Sequence, residues 1–99
     1  MSYTLIIHPK ATKELENSVI WYEERSEGLG KRFLAAVNRQ VLEIATYPQR
    51  YPLKHKNYRE VGIDIFPFII VYQILDDGQT ILITYIFHNK QSPKRKYLR

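Results

Sequence analysis

Apolar residues recur along this chain with two different periods, and the change of period marks its elements. Tyr3 to His8, around Leu5-Ile6-Ile7, reads as a first strand. From Pro9 to Arg25 the repeat becomes helical: Leu15, Val19 and Tyr22 fall at i, i+4 and i+7, with Ala11 and Thr12 above them. Pro9 suits the first turn of that helix, where its missing N–H costs nothing. Gly28 and Gly30 break the pattern and predict a tight reversal. A second helix is predicted from Gly30 to Thr46 on the stripe Phe33, Val37, Val41 and Ile44. Leu34, Leu42 and Ala45 widen the stripe, which predicts a helix covered on more than one side. Pro48 and Pro52 end it. So short a junction predicts an antiparallel helical hairpin.

The second half changes to strands. Tyr58 to Ile65 reads as one strand, Phe66 to Leu75 as the next, and Gln79 to His88 as the last. Asp76-Asp77-Gly78 between the last two is a strong hairpin signal. The expected order is β-α-α-β-β-β in one domain spanning 1–99. That is an α+β fold with the helix pair on one face of a small antiparallel sheet. Phe66–Leu75 reads as apolar on both faces: Phe66, Phe68, Ile70, Tyr72 and Ile74 point one way, and Pro67, Ile69, Val71, Gln73 and Leu75 the other. One face is expected under the helices. The other needs a cover, either the C-terminal segment folding back or a partner chain.

Charge alters the picture in one respect. Residues 1–49 hold six Lys/Arg against six Asp/Glu, whereas residues 50–99 hold nine against four. The whole excess of +5 therefore sits in the C-terminal half. Its cations cluster beside the end of the hairpin, which points to an anionic or acidic partner. The absence of cysteine excludes a disulfide framework and thiol chemistry. Leu5-Ile6-Ile7 is too short for a signal peptide or a membrane span, so a soluble cytoplasmic protein with no membrane contact is expected.

Few residues offer chemistry. His88 ends the last strand beside Lys90, Lys94 and Arg95, and is either an acid/base group or a cap on the sheet end. Arg59 is either a bidentate phosphate contact or the partner of Glu60, Asp64 or a helix carboxylate. Lys54, His55 and Lys56 either steer an anion or form a solvated loop. His8, at the strand–helix junction, reads as structural. Trp21 is expected to flank the helix pair, with Tyr22 in the core. The three histidines lack metal-ligand spacing, and no phosphate loop or Ser/His/Asp pattern is present, so no metal and no cofactor are expected.

Pro9-Lys10-Ala11 with Leu15, Trp21-Tyr22, Gly30 with Phe33-Leu34, Tyr47-Pro48 with Tyr51, Tyr58-Arg59-Glu60-Val61, Phe66-Pro67-Phe68 with Ile70 and Tyr72, and Ile86-Phe87-His88 with Pro93 occur here in order. In that order and at this length the chain resembles toxins of the RelE/ParE superfamily of bacterial type II toxin–antitoxin, or plasmid stabilisation, modules. The resemblance covers essentially all of the chain. It implies the fold argued above and a cognate antitoxin, often acidic, that forms a hetero-oligomer with the toxin and neutralises it. Ile69, Val71, Leu75 and Trp21 are the residues expected to meet that antitoxin.

The superfamily divides by mechanism. RelE-like members cleave messenger RNA in the ribosome, and ParE-like members poison DNA gyrase. RelE-like enzymes carry an arginine on the strand corresponding to Phe68–Tyr72, where this chain has Ile69. Another arginine follows their last strand, where the nearest counterpart is Lys90, and Tyr97 matches their C-terminal tyrosine only loosely. The expectation is therefore a ParE-like toxin that arrests growth by binding a replication target, with Lys94, Arg95, Lys96 and Arg99 as target contacts. The alternatives are a RelE-like ribonuclease with an altered site (His88, Lys90, Arg59 and Tyr97) and an inactive relative that only binds antitoxin.

Overall fold

The computed structural model describes residues 3–89. The chain enters through β1 (Thr4–Ile7), passes through α1 (Pro9–Arg25) and α2 (Leu29–Thr46), and continues through β2 (Leu53–His55), β3 (Tyr58–Gly62), β4 (Phe68–Ile74) and β5 (Thr80–His88). The strands form one sheet in the order β1-β5-β4-β3-β2. Four of them run antiparallel in sequence order, and β1 lies parallel to β5 at the edge. Both helices pack on one face, giving the α+β architecture the sequence predicts.

The helical hairpin follows from local chemistry. His8 caps α1, its Nδ1 accepting the Lys10 amide at 3.1 Å, and Pro9 occupies the first turn. Gly28, at φ +83°, makes the reversal. Gly30 already lies inside α2 and serves close packing rather than the turn: a Cβ there would stand 2.6 Å from the Val19 carbonyl oxygen. Glu23 closes the corner, accepting the Gly28 amide at 2.8 Å and the Gly30 amide at 3.0 Å. Those amides belong to the unsatisfied first turn of α2, where a carboxylate is favoured.

These two hydrogen bonds hold the Glu23 carboxyl below its ordinary range. A group with a depressed folded pKa stabilises the fold above its unfolded pKa of about 4.3, and that contribution is lost as pH falls through the folded value. Glu23→Gln is therefore expected to flatten the acid limb of a stability–pH curve between about pH 5 and pH 3 while changing the slope near pH 7 little. Urea unfolding at stepped pH reads this, and an unchanged acid limb would refute it.

The structure departs from the sequence reading in four places. First, β2 is an additional strand where a basic segment was expected. It pairs with β3 at Leu53↔Arg59, yet all three residues are exposed, so it carries no apolar alternation to read. Second, β3 stops at Gly62 and β4 starts at Phe68, because Ile65 takes φ +72° and Pro67 has no N–H for a ladder. Third, Leu42 is 67 % exposed, so the widened stripe of α2 reaches solvent at that position. Fourth, the β4–β5 register slips by one residue, pairing Val71 with Tyr85 but Tyr72 with Ile83. Thr84 is the extra residue of this bulge.

The bulge decides which side chains of β5 enter the core. Ile81 and Ile83 before it, and Ile86 after it, join the cluster beneath the helices, while Tyr85 and Phe87 join a second cluster. The Ile86 amide, beyond the end of β1, donates to Glu14 of α1 at 3.1 Å. Phe33 anchors the main core, with ring centroids 5.0 Å from Tyr22, 5.2 Å from Phe66 and 4.7 Å from Phe68. On the other face Val71, Tyr85 and Phe87 are buried, with Tyr58 and Ile69 packed against them. The C-terminal segment proposed as their cover lies outside the described residues.

Candidate functional site

His88 closes β5 opposite Phe68, and the two rings meet edge-on with centroids 5.3 Å apart. Together with Asn17, Ser18, Trp21 and Tyr22 of α1 they line a groove of about 380 Å³ at the sheet end. Asn17, Ser18, Trp21 and Tyr22 share one helix face by their spacing, a signal present in the sequence. Only the tertiary fold brings Phe68 and His88 against that face. Trp21 is half exposed, as a residue flanking the helix pair should be. The Arg25 guanidinium lies 3.4 Å from its ring centroid and donates to its carbonyl oxygen at 3.1 Å. The groove is thus aromatic, with one imidazole at its end.

Among the described residues Arg59 pairs with none of the carboxylates suggested for it. Its guanidinium donates to the carbonyl oxygens of Tyr51 at 2.6 Å and Gln49 at 3.4 Å. Tyr72, its cross-strand partner, donates its hydroxyl to the Pro48 carbonyl at 2.5 Å, and the Tyr51 hydroxyl accepts from Gln40 at 2.8 Å. Burial pushes the Tyr72 hydroxyl up to about 12, against the opposing pull of Arg59. These bonds pin residues 47–52 to the end of the sheet. Asp64, a suggested partner of Arg59, lies instead 3.9 Å from Arg39. Arg59 and His88 are not brought together either. Their strand partners, Tyr72 and Phe68, are four residues apart on β4, about 13 Å at the usual rise.

The sheet face turned away from the helices is apolar at its centre. Cross-strand pairs share a face, which places Tyr58 with Gln73, Glu60 with Val71 and Tyr85, and Gly62 with Ile69 and Phe87. Along the described β3, β4 and β5 no Lys or Arg occupies this face. Of the expected antitoxin contacts, Ile69 and Val71 lie here, Leu75 opens the turn after β4, and Trp21 lies on α1. Lys54 and His55 sit on the exposed edge strand, and Lys56 follows at φ +51°. Lys90, Lys94, Arg95, Lys96, Tyr97 and Arg99 lie outside the described residues. Among the described residues no cluster of three potential metal ligands occurs, and no helix is long and apolar enough to cross a membrane.

Known proteins share this geometry. No curated protein matches the sequence. Among solved structures, a double-arginine mutant of the Escherichia coli toxin RelE in the free state superposes with a TM-score of 0.64 at 15 % identity, covering 98 % of this chain and 92 % of that one. The chromosomal ParDE toxin–antitoxin system of Pseudomonas aeruginosa gives 0.63 at 19 %, covering 88 % and 96 %. The RelBE2 toxin–antitoxin complex of Mycobacterium tuberculosis gives 0.63 at 22 %, covering 89 % and 99 %. At such identities these likenesses establish the shared fold. A sequence family model, that of the ParE toxin of the type II toxin–antitoxin system, matches residues 5–93. With nearly the whole length matched and the fold shared, the chain belongs to the ParE toxin family of type II toxin–antitoxin modules.

Proposed function

We propose that this chain arrests growth by binding a protein of the replication machinery, such as DNA gyrase, rather than by cutting RNA. An acidic cognate antitoxin neutralises it. One observation carries the reading: the outward face of β3, β4 and β5 offers Tyr58, Glu60, Ile69, Val71, Tyr85 and Phe87, with no cation among the described residues. Metal-free RNA cleavage needs fixed positive charge around the phosphate that is attacked. The described residues of this face supply no such charge. Arg59, the described arginine that the ribonuclease reading requires, is held by two backbone carbonyls on the opposite face.

The antitoxin half of the reading rests on apolar surface and on charge. Of the expected contacts, Ile69 is half-buried on the outward sheet face and Trp21 stands half exposed on α1, while Val71 is fully buried. An amphipathic segment reaching Ile69 and Trp21 passes round the sheet end. The net charge of +5 favours an acidic partner. Three of the similar structures are described as RelBE or ParDE assemblies, which is the kind of partner proposed here.

Pulse-labelling of cells after induction without antitoxin tests the mechanism. Thymidine incorporation is expected to fall before methionine incorporation, with DNA-damage signalling. If methionine incorporation falls first and messages are cut at the ribosome, the protein is an interferase and this reading fails. If neither falls while soluble protein accumulates, toxicity is excluded and only antitoxin binding is left.

A further inference from the structure

The connection between β3 and β4 holds an isoleucine where its side chain is least comfortable. Ile65 sits at φ +72°, in the left-handed region that L side chains rarely adopt and that β-branched residues avoid most strongly. The Phe66 amide donates back to the Asp64 carbonyl at 2.7 Å, so Ile65 is the centre of a γ-turn of the rare, strained hand. The turn gains no burial in return. Its neighbours Ile63 and Phe66 are in the core, but Ile65 is 86 % exposed, more than any other large apolar residue among those described. Asparagine or glycine would adopt this backbone readily and remove the exposed hydrocarbon. A strained residue that buries nothing in the free chain, at the tip of an otherwise well-anchored turn, has the form of a contact made with something else.

From this we infer that Ile65 is an anchor that inserts into an apolar socket on the toxin's protein target. The inference rests on the protein-binding reading above. The turn is well suited to hold it: Phe66 packs on Tyr22 and Phe33, with centroids at 5.0 and 5.2 Å, and the Ile63 amide donates to the Phe68 carbonyl at 3.2 Å. The tip is therefore presented preorganised, and little ordering remains to oppose docking. The neighbouring charges favour a protein over a nucleic acid. Asp64 adjoins Ile65 and would repel phosphate, and Arg39, the cation beside it, lies 3.9 Å from the Asp64 carboxylate. Trp21, one of the proposed antitoxin contacts, lies at the same sheet end, linked to the turn through Tyr22 and Phe66, so antitoxin affinity is measured alongside arrest.

The test compares the full chain with Ile65→Asn and Ile65→Gly. Three quantities are measured: thermal unfolding, affinity for the cognate antitoxin, and the inducer needed to arrest growth without antitoxin. Both variants are expected to unfold at or above the wild-type temperature and to bind antitoxin within about twofold, yet to need at least about tenfold more inducer for arrest. Unchanged arrest by folded variants overturns the anchor. Joint loss of arrest and of antitoxin binding assigns the residue to the antitoxin and overturns the target role. Weakened binding to duplex DNA in a mobility-shift assay, or a variant-dependent loss of a wild-type dimer, overturns it in favour of nucleic acid or self-association. The wild-type control separates the two levels: message cleavage or absence of arrest by the wild type refutes the protein-binding reading and this inference with it, whereas arrest without cleavage that persists in the variants refutes the inference alone.

Discussion

Phe33→Ala is expected to destabilise the fold by about 3–5 kcal/mol, the usual cost of emptying a large buried aromatic site. Phe33 is fully buried where α1, α2 and the start of β4 meet, touching Tyr22, Phe66 and Phe68. Its removal leaves a void that α1, the β3–β4 connection and β4 would have to close together. Three of those aromatics are held by other constraints, so the site cannot collapse easily: Phe66 by the strained turn, Phe68 by its pairing with β5, and Tyr22 by the helix. A domain of this size has roughly 5–15 kcal/mol in total, so the variant stands near the limit of folding. Urea unfolding should show a much lower midpoint with an unchanged slope. A loss under about 1 kcal/mol would mean that Phe33 is not the centre of the core.

Gly30→Ala is expected to cost about 1–3 kcal/mol, as overpacking does, although alanine is the better helix former by about 1 kcal/mol. The new Cβ would meet the Val19 carbonyl oxygen at 2.6 Å and Glu23 at 3.0 Å. The first contact is backbone of the facing helix and cannot rotate away, so α1 and α2 must separate locally. That separation also loosens the Glu23 hydrogen bonds to Gly28 and Gly30. Gly62→Ala is the informative control, because its added Cβ finds its nearest neighbour at an ordinary 3.8 Å. Equal stability of Gly30→Ala and wild type would show that the helices are not held at the described distance.

The helices were legible because their signals are local. Pro9 starts α1 where the sequence places it, and the stripe Phe33, Val37 and Ile44 enters the core as its period requires. The Asp-Gly turn was equally plain: the Asp77 carboxylate accepts the Gln79 and Thr80 amides at 2.9 Å, and Gly78 takes φ +70°. The edge strand β2 left no trace in the pattern, since Leu53, Lys54 and His55 are all exposed and only the pairing with β3 makes them a strand. Leu42 misled because an apolar residue at the margin of a stripe reads the same whether it is covered or bare.

The site was less legible than the fold, for a physical reason. Histidine and arginine reveal in sequence what they are able to do, but their geometry decides what they do. Arg59 carries the chemistry of a phosphate ligand and is held by the carbonyls of Tyr51 and Gln49, acceptors that any sequence supplies and none advertises. Ile65 reads as the end of a strand and stands out only once its φ of +72° and its exposure are known together.

The sequence by itself determined the order of the elements, the family, the basic C-terminal half and the absence of an arginine at position 69, because periodicity, composition and residue identity are properties of the chain. Only the tertiary structure decided which side of β5 faces the helices, since one extra residue at Thr84 inverts the alternation after it. It alone placed His88 in a groove with α1, turned Arg59 inward and held Ile65 out. Each of these depends on contacts between segments distant in sequence, and no local pattern encodes them.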